Sequence, residues 1–224
     1  MELTNKRAVY LGDSITEGSG VSDLANRYDN RLHRMLGLAE TTNYGIAGTR
    51  IAHQSVPSLR PVHDLCFCGR AYRLRPDAEL IIVYGGVNDY LHGDAPLGSP
   101  ADGTPATFRG AVDFLIRLLK EQYPAAQLAF ITPAHCHFYD TDDDLPSPHT
   151  SKTPESRRPL GDYVAALESK CRQYSVPLLS LYDKLGIDPR REPDRSAYTI
   201  DGLHFNDTGH QKLAELMAEF LKSL

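Results

Sequence analysis

Residues 7–14 read Arg-Ala-Val-Tyr-Leu-Gly-Asp-Ser. A short apolar run that stops at a glycine is typical of a buried β-strand followed by a tight turn. Four further strand candidates occur along the chain, at residues 41–44, 79–84, 127–132 and 176–181, and the first of these is a weaker one. The sequence therefore predicts five strands, and residues 79–84 form the strongest of them.

Helical patterns separate the predicted strands. One helix is predicted to end at Gly37 and to bury five apolar side chains, those of Leu24, Tyr28, Leu32, Met35 and Leu36. Further helices are predicted at residues 59–74, 108–123, 160–174 and 207–221. Strands that alternate with amphipathic helices imply a parallel sheet covered on both faces. We therefore predict an α/β fold with three layers, α/β/α, around a five-stranded parallel sheet.

The composition is that of an ordinary globular protein. Of the 224 residues, 41% are apolar and 24% are charged, so residues 1–224 are predicted to form a single domain. A formal net charge of −5 gives no reason to expect nucleic acid or an anionic membrane as partner. No stretch approaches the roughly 18 apolar residues of a membrane helix. Residues 1–7 are too polar for a signal peptide, and four cysteines fit reduced thiols, so a cytoplasmic location is expected.

Polar or glycine-rich segments follow the predicted strands. Gly12-Asp13-Ser14 follows the first strand, residues 43–48 follow the second and residues 85–89 follow the third. Residues 201–204, Asp-Gly-Leu-His, lie beyond the fifth strand. Folds of this class bind ligands at the carboxyl ends of their parallel strands. All four segments are therefore expected at one edge of the sheet.

These segments resemble the sequence blocks of the GDSL, or SGNH, hydrolases. Gly12-Asp13-Ser14-Ile15 is similar to the first block, residues 43–48 (Asn-Tyr-Gly-Ile-Ala-Gly) to the second, residues 86–89 (Gly-Val-Asn-Asp) to the third and residues 201–204 to the last. The order is that of the family, and the blocks span residues 12–204. The resemblance implies the flavodoxin-like SGNH hydrolase fold and an acyl-ester hydrolase. It also implies three donors to an oxyanion: the backbone N–H groups of Ser14 and Gly48, and the side-chain amide of Asn88.

Ser14, Asp201 and His204 are the residue types that serine-based acyl transfer requires. A serine hydroxyl needs an imidazole to take its proton and a carboxylate to orient that imidazole. Asp201 lies three residues before His204, so one turn can deliver both, and Gly202 helps the chain to bend. We therefore predict that Ser14 is the nucleophile, His204 the general base and then acid, and Asp201 its partner. The alternative for His204 is a surface residue leading into the last helix.

Structural roles are the alternatives for the other candidates. Ser14 would then cap a helix, Gly48 would only turn the chain, and Asn88 would form an Asx-turn. The acids beside these blocks, Asp13 and Asp89, are predicted to bond nearby backbone amides and to play no direct part in catalysis.

Neither a metal nor a cofactor is predicted. His135 and His137 flank Cys136 and suggest zinc, but only His149 offers a further ligand nearby, and zinc sites need a fuller set. No Gly-Lys-Ser/Thr follows the first strand and no G-x-G-x-x-G opens a dinucleotide site. The serine also lies outside the G-x-S-x-G motif of α/β-hydrolases.

The sequence therefore predicts a serine esterase that cleaves small soluble carboxylic esters through an acyl-enzyme on Ser14. The alternatives are an acyltransferase of the same family and a non-hydrolytic protein that binds a glycan or an acyl ligand. The resemblance implies acylated carbohydrates, lysophospholipids or short acyl esters as candidate substrates. Of three long connections, at residues 89–105, 133–159 and 182–199, the middle one is predicted to be a solvated flap, with a cleft wall as the alternative. Tyr90 and His92 are further candidates for the pocket lining.

Overall fold

A computed structural model describes residues 2–138 and 158–224. The described strands are β1 (Arg7–Gly12), β2 (Glu40–Gly45), β3 (Leu80–Tyr84), β4 (Gln127–Ile131) and β5 (Leu178–Leu179). The described α-helices are α1 (Ser14–Glu17), α2 (Tyr28–Leu36), α3 (Phe67–Arg70), α4 (Val87–His92), α5 (Phe108–Gln122), α6 (Leu160–Gln173), α7 (Leu181–Lys184), α8 (Asp194–Tyr198) and α9 (Asp207–Lys222). Short 3₁₀ turns occur at Leu24–Asn26, Pro61–Asp64 and Ala71–Arg73.

The sheet is parallel, with strand order β2-β1-β3-β4-β5. This is the flavodoxin-like order, in which the chain reverses direction across the sheet between β1 and β3. Every residue of β3 is buried, as expected for a central strand with helices over both faces. Helix α2 packs against α9, and α5 packs against α6. The predicted three-layer α/β/α fold on a five-stranded parallel sheet is confirmed.

Local capping explains where several helices begin and end. Thr107 Oγ1 accepts a hydrogen bond of 3.1 Å from the backbone N–H of Gly110 and starts α5. Asn206 Oδ1 starts α9 by accepting from the N–H groups of Thr208 and Gly209, each at 3.0 Å. Helix α2 ends at Leu36, and Gly37 caps it with a φ of +61°.

The helix predicted from residue 24 is interrupted. Arg27 has an extended backbone, with φ −63° and ψ 143°, so a 3₁₀ turn precedes it and α2 begins after it. Leu24 lies before the break and is 57% exposed, so it does not share the buried face of α2. Met35 lies within α2 and is 43% exposed, whereas Tyr28, Leu32 and Leu36 are buried. The predicted burial of Leu24 and Met35 is wrong.

Two other elements differ from the prediction. Residues 59–74 form a 3₁₀ turn, α3 and a second 3₁₀ turn instead of one helix. The fifth strand is only Leu178–Leu179, and α7 starts at Leu181. The third long connection contains α8, and most of the predicted flap, residues 139–157, lies outside the described residues.

Within residues 2–138 and 158–224, no helix is long and apolar enough to cross a membrane. The four cysteines are free thiols, and all of them are buried.

Candidate active site

Ser14 is the first residue of α1, immediately beyond the end of β1. The turn is tight because residue 12 is glycine: a Cβ there would lie 1.9 Å from Thr16 Oγ1. The helix cap is Asp13, whose Oδ1 accepts from the N–H of Ile15 at 3.1 Å. A capping role for Ser14 is therefore wrong, and its hydroxyl is left for other partners.

The hydroxyl of Ser14 contacts the imidazole of His204. Ser14 Oγ lies 2.9 Å from His204 Nε2, and His204 Nδ1 lies 2.6 Å from Asp201 Oδ2. Residues 190 positions apart in sequence thus form a continuous chain of two hydrogen bonds. This is the geometry that a general base needs in order to take a proton from a serine.

The Asp201 carboxylate determines which nitrogen of the ring carries hydrogen. Its Oδ1 accepts from the backbone N–H groups of Leu203 at 3.0 Å and His204 at 2.8 Å. Burial raises the pKa of Asp201, but the bonds from the His204 ring and from these two N–H groups outweigh it and hold the pKa below its ordinary value. Because an ionised carboxylate only accepts, Nδ1 of His204 donates to it, and Nε2 is left to accept from Ser14.

Gly202 makes the turn between Asp201 and His204 possible. Its φ is +84°, a conformation that favours glycine, and a Cβ there would lie 2.2 Å from the carbonyl oxygen of His137. The N–H of His137 also donates to the Gly202 carbonyl at 2.8 Å. The ring of Phe138 stands perpendicular to the His204 ring, with the centroids 5.7 Å apart. The turn that carries the acid–base pair is therefore packed against the segment that follows β4.

Two further candidates, Gly48 and Asn88, follow β2 and β3. Gly48 has a φ of +73°, and a Cβ there would lie 2.6 Å from the ring of His63, so the close approach requires a glycine. Asn88 is 4% exposed, and its Nδ2 donates to the Thr49 carbonyl at 3.1 Å. This bond joins the loop of Gly48 to α4, which carries Asn88. The side chain does not form the Asx-turn of the alternative interpretation.

The carboxylate of Asp89 also holds the loop that carries Gly48. Its carboxylate oxygens accept from the N–H groups of Ile51 at 2.9 Å and Ala52 at 3.0 Å. The prediction that Asp89 bonds backbone amides agrees with these contacts. These two bonds attach residues 51 and 52, which lie three and four positions after Gly48, to α4, the helix that carries Asp89.

Arg70 is a supporting residue that sequence reasoning missed. Arg70 is 9% exposed. It donates to the carbonyl groups of Tyr44 and of Gly12, the latter at 2.9 Å, and to Thr49 Oγ1 at 2.9 Å. One side chain thus joins the ends of β1 and β2 to the loop of Gly48. No local pattern marks this role, because these three partners lie 21 to 58 residues away.

Asp13 is a buried acid next to the nucleophile. Burial raises its pKa to about 7; the N–H of Ile15 and the charges of His204 and Arg70 oppose that rise, and Asp89 adds to it. The carboxyl of Asp13 is therefore partly protonated near neutral pH.

We predict that Asp13→Asn stabilises the protein at alkaline pH. Because the pKa of Asp13 rises from 3.8 to about 7 on folding, its contribution to stability is complete below pH 4 and is lost as pH rises to 7. An asparagine keeps an oxygen for Ile15 and carries no charge. The free energy of unfolding should increase at pH 8.5 by up to about 4 kcal/mol, at 1.36 kcal/mol for each pKa unit. Urea unfolding at pH 8.5 and pH 4.5 measures the difference, which should shrink at the lower pH.

Asp77→Asn is the matched control. Arg75 bonds the exposed carboxylate of Asp77 and lowers its pKa, so this substitution should not stabilise the protein at high pH. Equal stability of Asp13→Asn and wild type at pH 8.5 would show that Asp13 carries no buried charge.

The remaining candidates play other parts. Tyr90 is fully buried with its ring against Tyr163, so its predicted place in the pocket lining is wrong. The ring of His135 packs on Tyr182, with the centroids 3.9 Å apart. Among residues 2–138 and 158–224, no group of three His, Cys, Asp or Glu side chains could hold a metal ion, and His149 lies outside them.

A cavity of about 550 Å³ flanks the loop that carries Gly48. Its walls include Tyr44 and Ile46 at the end of β2, and Cys66, Gly69 and Arg70 from the region of α3. The volume lies within the range of about 300 to 1,000 Å³ typical of small-molecule sites.

The family model for GDSL-like lipases and acylhydrolases matches residues 10–212. The chain belongs to the GDSL-like lipase/acylhydrolase family. The match runs through all the segments that meet at the site, and the resemblance in the four blocks is confirmed. Membership in this family supports hydrolase activity in general.

Several solved structures are similar to this chain over most of its length. A protein from Lactobacillus plantarum is 31% identical, with a TM-score of 0.81 over 98% of each chain. The aryl esterase of M. smegmatis is 16% identical, with a TM-score of 0.66 over 98% of this chain and 99% of that one. A two-domain esterase active on acetylated mannans is 20% identical, with a TM-score of 0.59 over 97% of this chain and 49% of that one. The two esterases show a shared fold, and no curated protein matches the chain significantly.

Proposed function

We propose that this GDSL-family protein is a serine esterase that hydrolyses small soluble carboxylic esters through an acyl-enzyme on Ser14, within a single domain of residues 1–224. The proposal is carried by one observation, the hydrogen-bonded chain from Ser14 Oγ to His204 (2.9 Å) and from His204 to Asp201 (2.6 Å). Family membership supports the same chemistry.

In the first half-reaction, Ser14 Oγ attacks the carbonyl carbon of the ester while its proton passes to His204 Nε2. The electron pair of the carbonyl π-bond moves to oxygen, and a tetrahedral oxyanion forms. The intermediate collapses, the bond to the alcohol oxygen breaks, and the departing alcohol takes the proton from His204. An acyl ester of Ser14 remains.

The second half-reaction repeats these steps with water. His204 takes a proton from the water as its oxygen attacks the acyl carbon, and a second oxyanion forms. When the bond to Ser14 Oγ breaks, the proton on His204 returns to the serine, and the carboxylic acid leaves. Asp201 stays ionised throughout and stabilises the charged imidazole.

Three donors are proposed to stabilise both oxyanions. As the first residue of α1, Ser14 has a backbone N–H without an acceptor inside the helix. The Gly48 N–H comes from the loop after β2 and the Asn88 amide from α4, and a hydrogen bond joins these two elements. Asn88 is uncharged, so its burial avoids the cost of an unpaired cation. Donors of this kind are often the largest single contribution to catalysis.

Acylated carbohydrates are the substrate class that we place first. The neighbouring two-domain esterase acts on acetylated mannans. Aryl esters are included because another neighbour is an aryl esterase.

A panel of esters tests the proposal. The purified protein is assayed with p-nitrophenyl esters of increasing acyl length, an acetylated manno-oligosaccharide and a lysophospholipid, with and without free sugar as acceptor. We expect acid and alcohol to be released in equal amounts, fastest from the short acyl esters. Acyl transfer to the sugar in excess of hydrolysis would identify an acyltransferase instead. No turnover of any ester, together with no acyl adduct on Ser14 in intact mass spectra, would contradict the proposal.

A further inference from the structure

The side chain of Asn88 can serve an oxyanion in only one of its two orientations. A carboxamide has hydrogen-bond donors on Nδ2 and an acceptor on Oδ1, and the two ends have almost the same shape. A rotation of 180° would replace the donor with an oxygen that repels the oxyanion. The protein therefore needs a device that holds the amide in the productive orientation.

Two contacts define that orientation. Asn88 Nδ2 donates to the Thr49 carbonyl at 3.1 Å, and Asn88 Oδ1 lies 2.9 Å from Nε2 of His92. Because Oδ1 cannot donate, the hydrogen of the second bond belongs to His92 Nε2. With one Nδ2 hydrogen committed to Thr49, the second is the one available to an oxyanion.

A rotated amide would be opposed at the Thr49 end, where its oxygen would face a carbonyl that can only accept. At the other end its N–H₂ group would face the N–H of His92, and the ring would have to move its hydrogen to Nδ1 before Nε2 could accept. Rotation therefore costs the bond to Thr49 and a change of tautomer in His92, at a side chain that is 4% exposed.

The fold brings His92 to Asn88 through the helix between them. The two residues are four apart on α4, the spacing at which side chains of a helix meet. The end of that helix is held in place: the N–H of Gly93 donates to the Asn88 carbonyl at 2.9 Å, and Arg50 Nη2 donates to the His92 carbonyl at 3.4 Å.

We infer that His92 is a positioning residue for the oxyanion site: its Nε2–H holds the Asn88 carboxamide so that Nδ2 faces the developing charge. The inference rests on the proposed esterase function. His92 acts on the transition state through Asn88 and takes no proton in the reaction.

Substitution of His92 separates this role from a structural one. His92→Phe keeps a flat ring and removes the donor, whereas His92→Gln offers an N–H at a similar reach. Losing an oxyanion donor outright typically costs about 100- to 1,000-fold. We therefore expect His92→Phe to lower kcat about 10-fold, with KM nearly unchanged, and His92→Gln to restore most of it. In the Asn88→Ala background, His92→Phe should have no further effect, because its target is absent.

A second readout does not depend on finding the best substrate. The rate at which a fluorophosphonate modifies Ser14, followed by intact mass, depends on the same donors. His92→Phe should slow labelling in the same proportion as kcat. His33→Phe, which removes an imidazole from α2 near the amino ends of the strands, is the matched control and should label at the wild-type rate.

The outcomes are distinguishable. If the wild-type protein cleaves esters and His92→Phe has the same kcat and the same labelling rate, the inference is overturned and the proposed function stands. Equal losses from His92→Phe with and without Asn88 would also overturn it, since the effect would not pass through Asn88. Wild-type protein that neither cleaves esters nor reacts with the phosphonate would overturn both the function and the inference.

Discussion

Ser14→Ala should lower kcat on a short acyl ester by about a million-fold, the size of loss found when a serine nucleophile is removed. The reason is that no acyl-enzyme can form without Oγ, and only attack by water within the oxyanion site remains. Residual rates about 1,000- to 10,000-fold above the uncatalysed reaction are expected from that remainder. Stopped assays with p-nitrophenyl acetate over a range of enzyme concentrations measure both the loss of kcat and the residual rate above the uncatalysed reaction.

The fold should tolerate this substitution. Ser14 does not cap α1, since Asp13 does, and removal of its hydroxyl deletes one hydrogen bond, worth about 1 kcal/mol. Ser223→Ala, at the exposed end of α9, is the control for loss of a serine hydroxyl and should keep full activity. Activity of Ser14→Ala within 10-fold of wild type would exclude the acyl-enzyme mechanism, provided that its melting temperature is unchanged.

The second large effect is expected for Asp201→Asn, a loss of about 10,000-fold in kcat. Both backbone N–H groups of the turn point at Oδ1, so an asparagine must place its single oxygen there. Its N–H₂ group then faces His204 Nδ1 and donates to it. The ring hydrogen moves to Nε2, which can no longer accept the proton of Ser14.

The control for Asp201→Asn is again Asp77→Asn, which removes a surface carboxylate before β3, at the opposite edge of the sheet. It should leave kcat unchanged. If Asp201→Asn kept more than a tenth of wild-type kcat, the carboxylate would not determine the tautomer of His204. Nitrogen chemical shifts of the imidazole would show the change of tautomer directly.

Much of the site could be predicted because parallel strands place their carboxyl ends together. Ser14, Asn88 and the turn containing His204 follow separate strands, so a parallel sheet predicts that they lie at the same edge. It does not predict their contact, since α7 and α8 lie between β5 and His204. The 2.9 Å contact between Ser14 and His204 agrees with the expected shared edge. Their catalytic roles stay predictions until the substitutions are measured.

Other features could not be read from the sequence. Arg70 joins the strand ends through contacts up to 58 residues away, and no periodic pattern records them. The spacing of His92, four residues after Asn88, would have indicated its contact if a helix had been predicted there. The predicted third strand ends before Gly85 and Gly86, and no helix is predicted after them. Arg27 breaks the predicted helix through its own extended backbone, which apolar spacing does not reveal.

The separation of Ser14 from His204 by 190 residues has a consequence for biosynthesis. During synthesis the hydroxyl of Ser14 is made long before the imidazole of His204, and it has no base until that later segment has been added and has folded against it. A fragment that stops before residue 201 lacks both Asp201 and His204, so we expect it to lose most of its ester hydrolysis, whatever structure it reaches. Ester turnover therefore reports that residues 201–204 have been made and have reached Ser14.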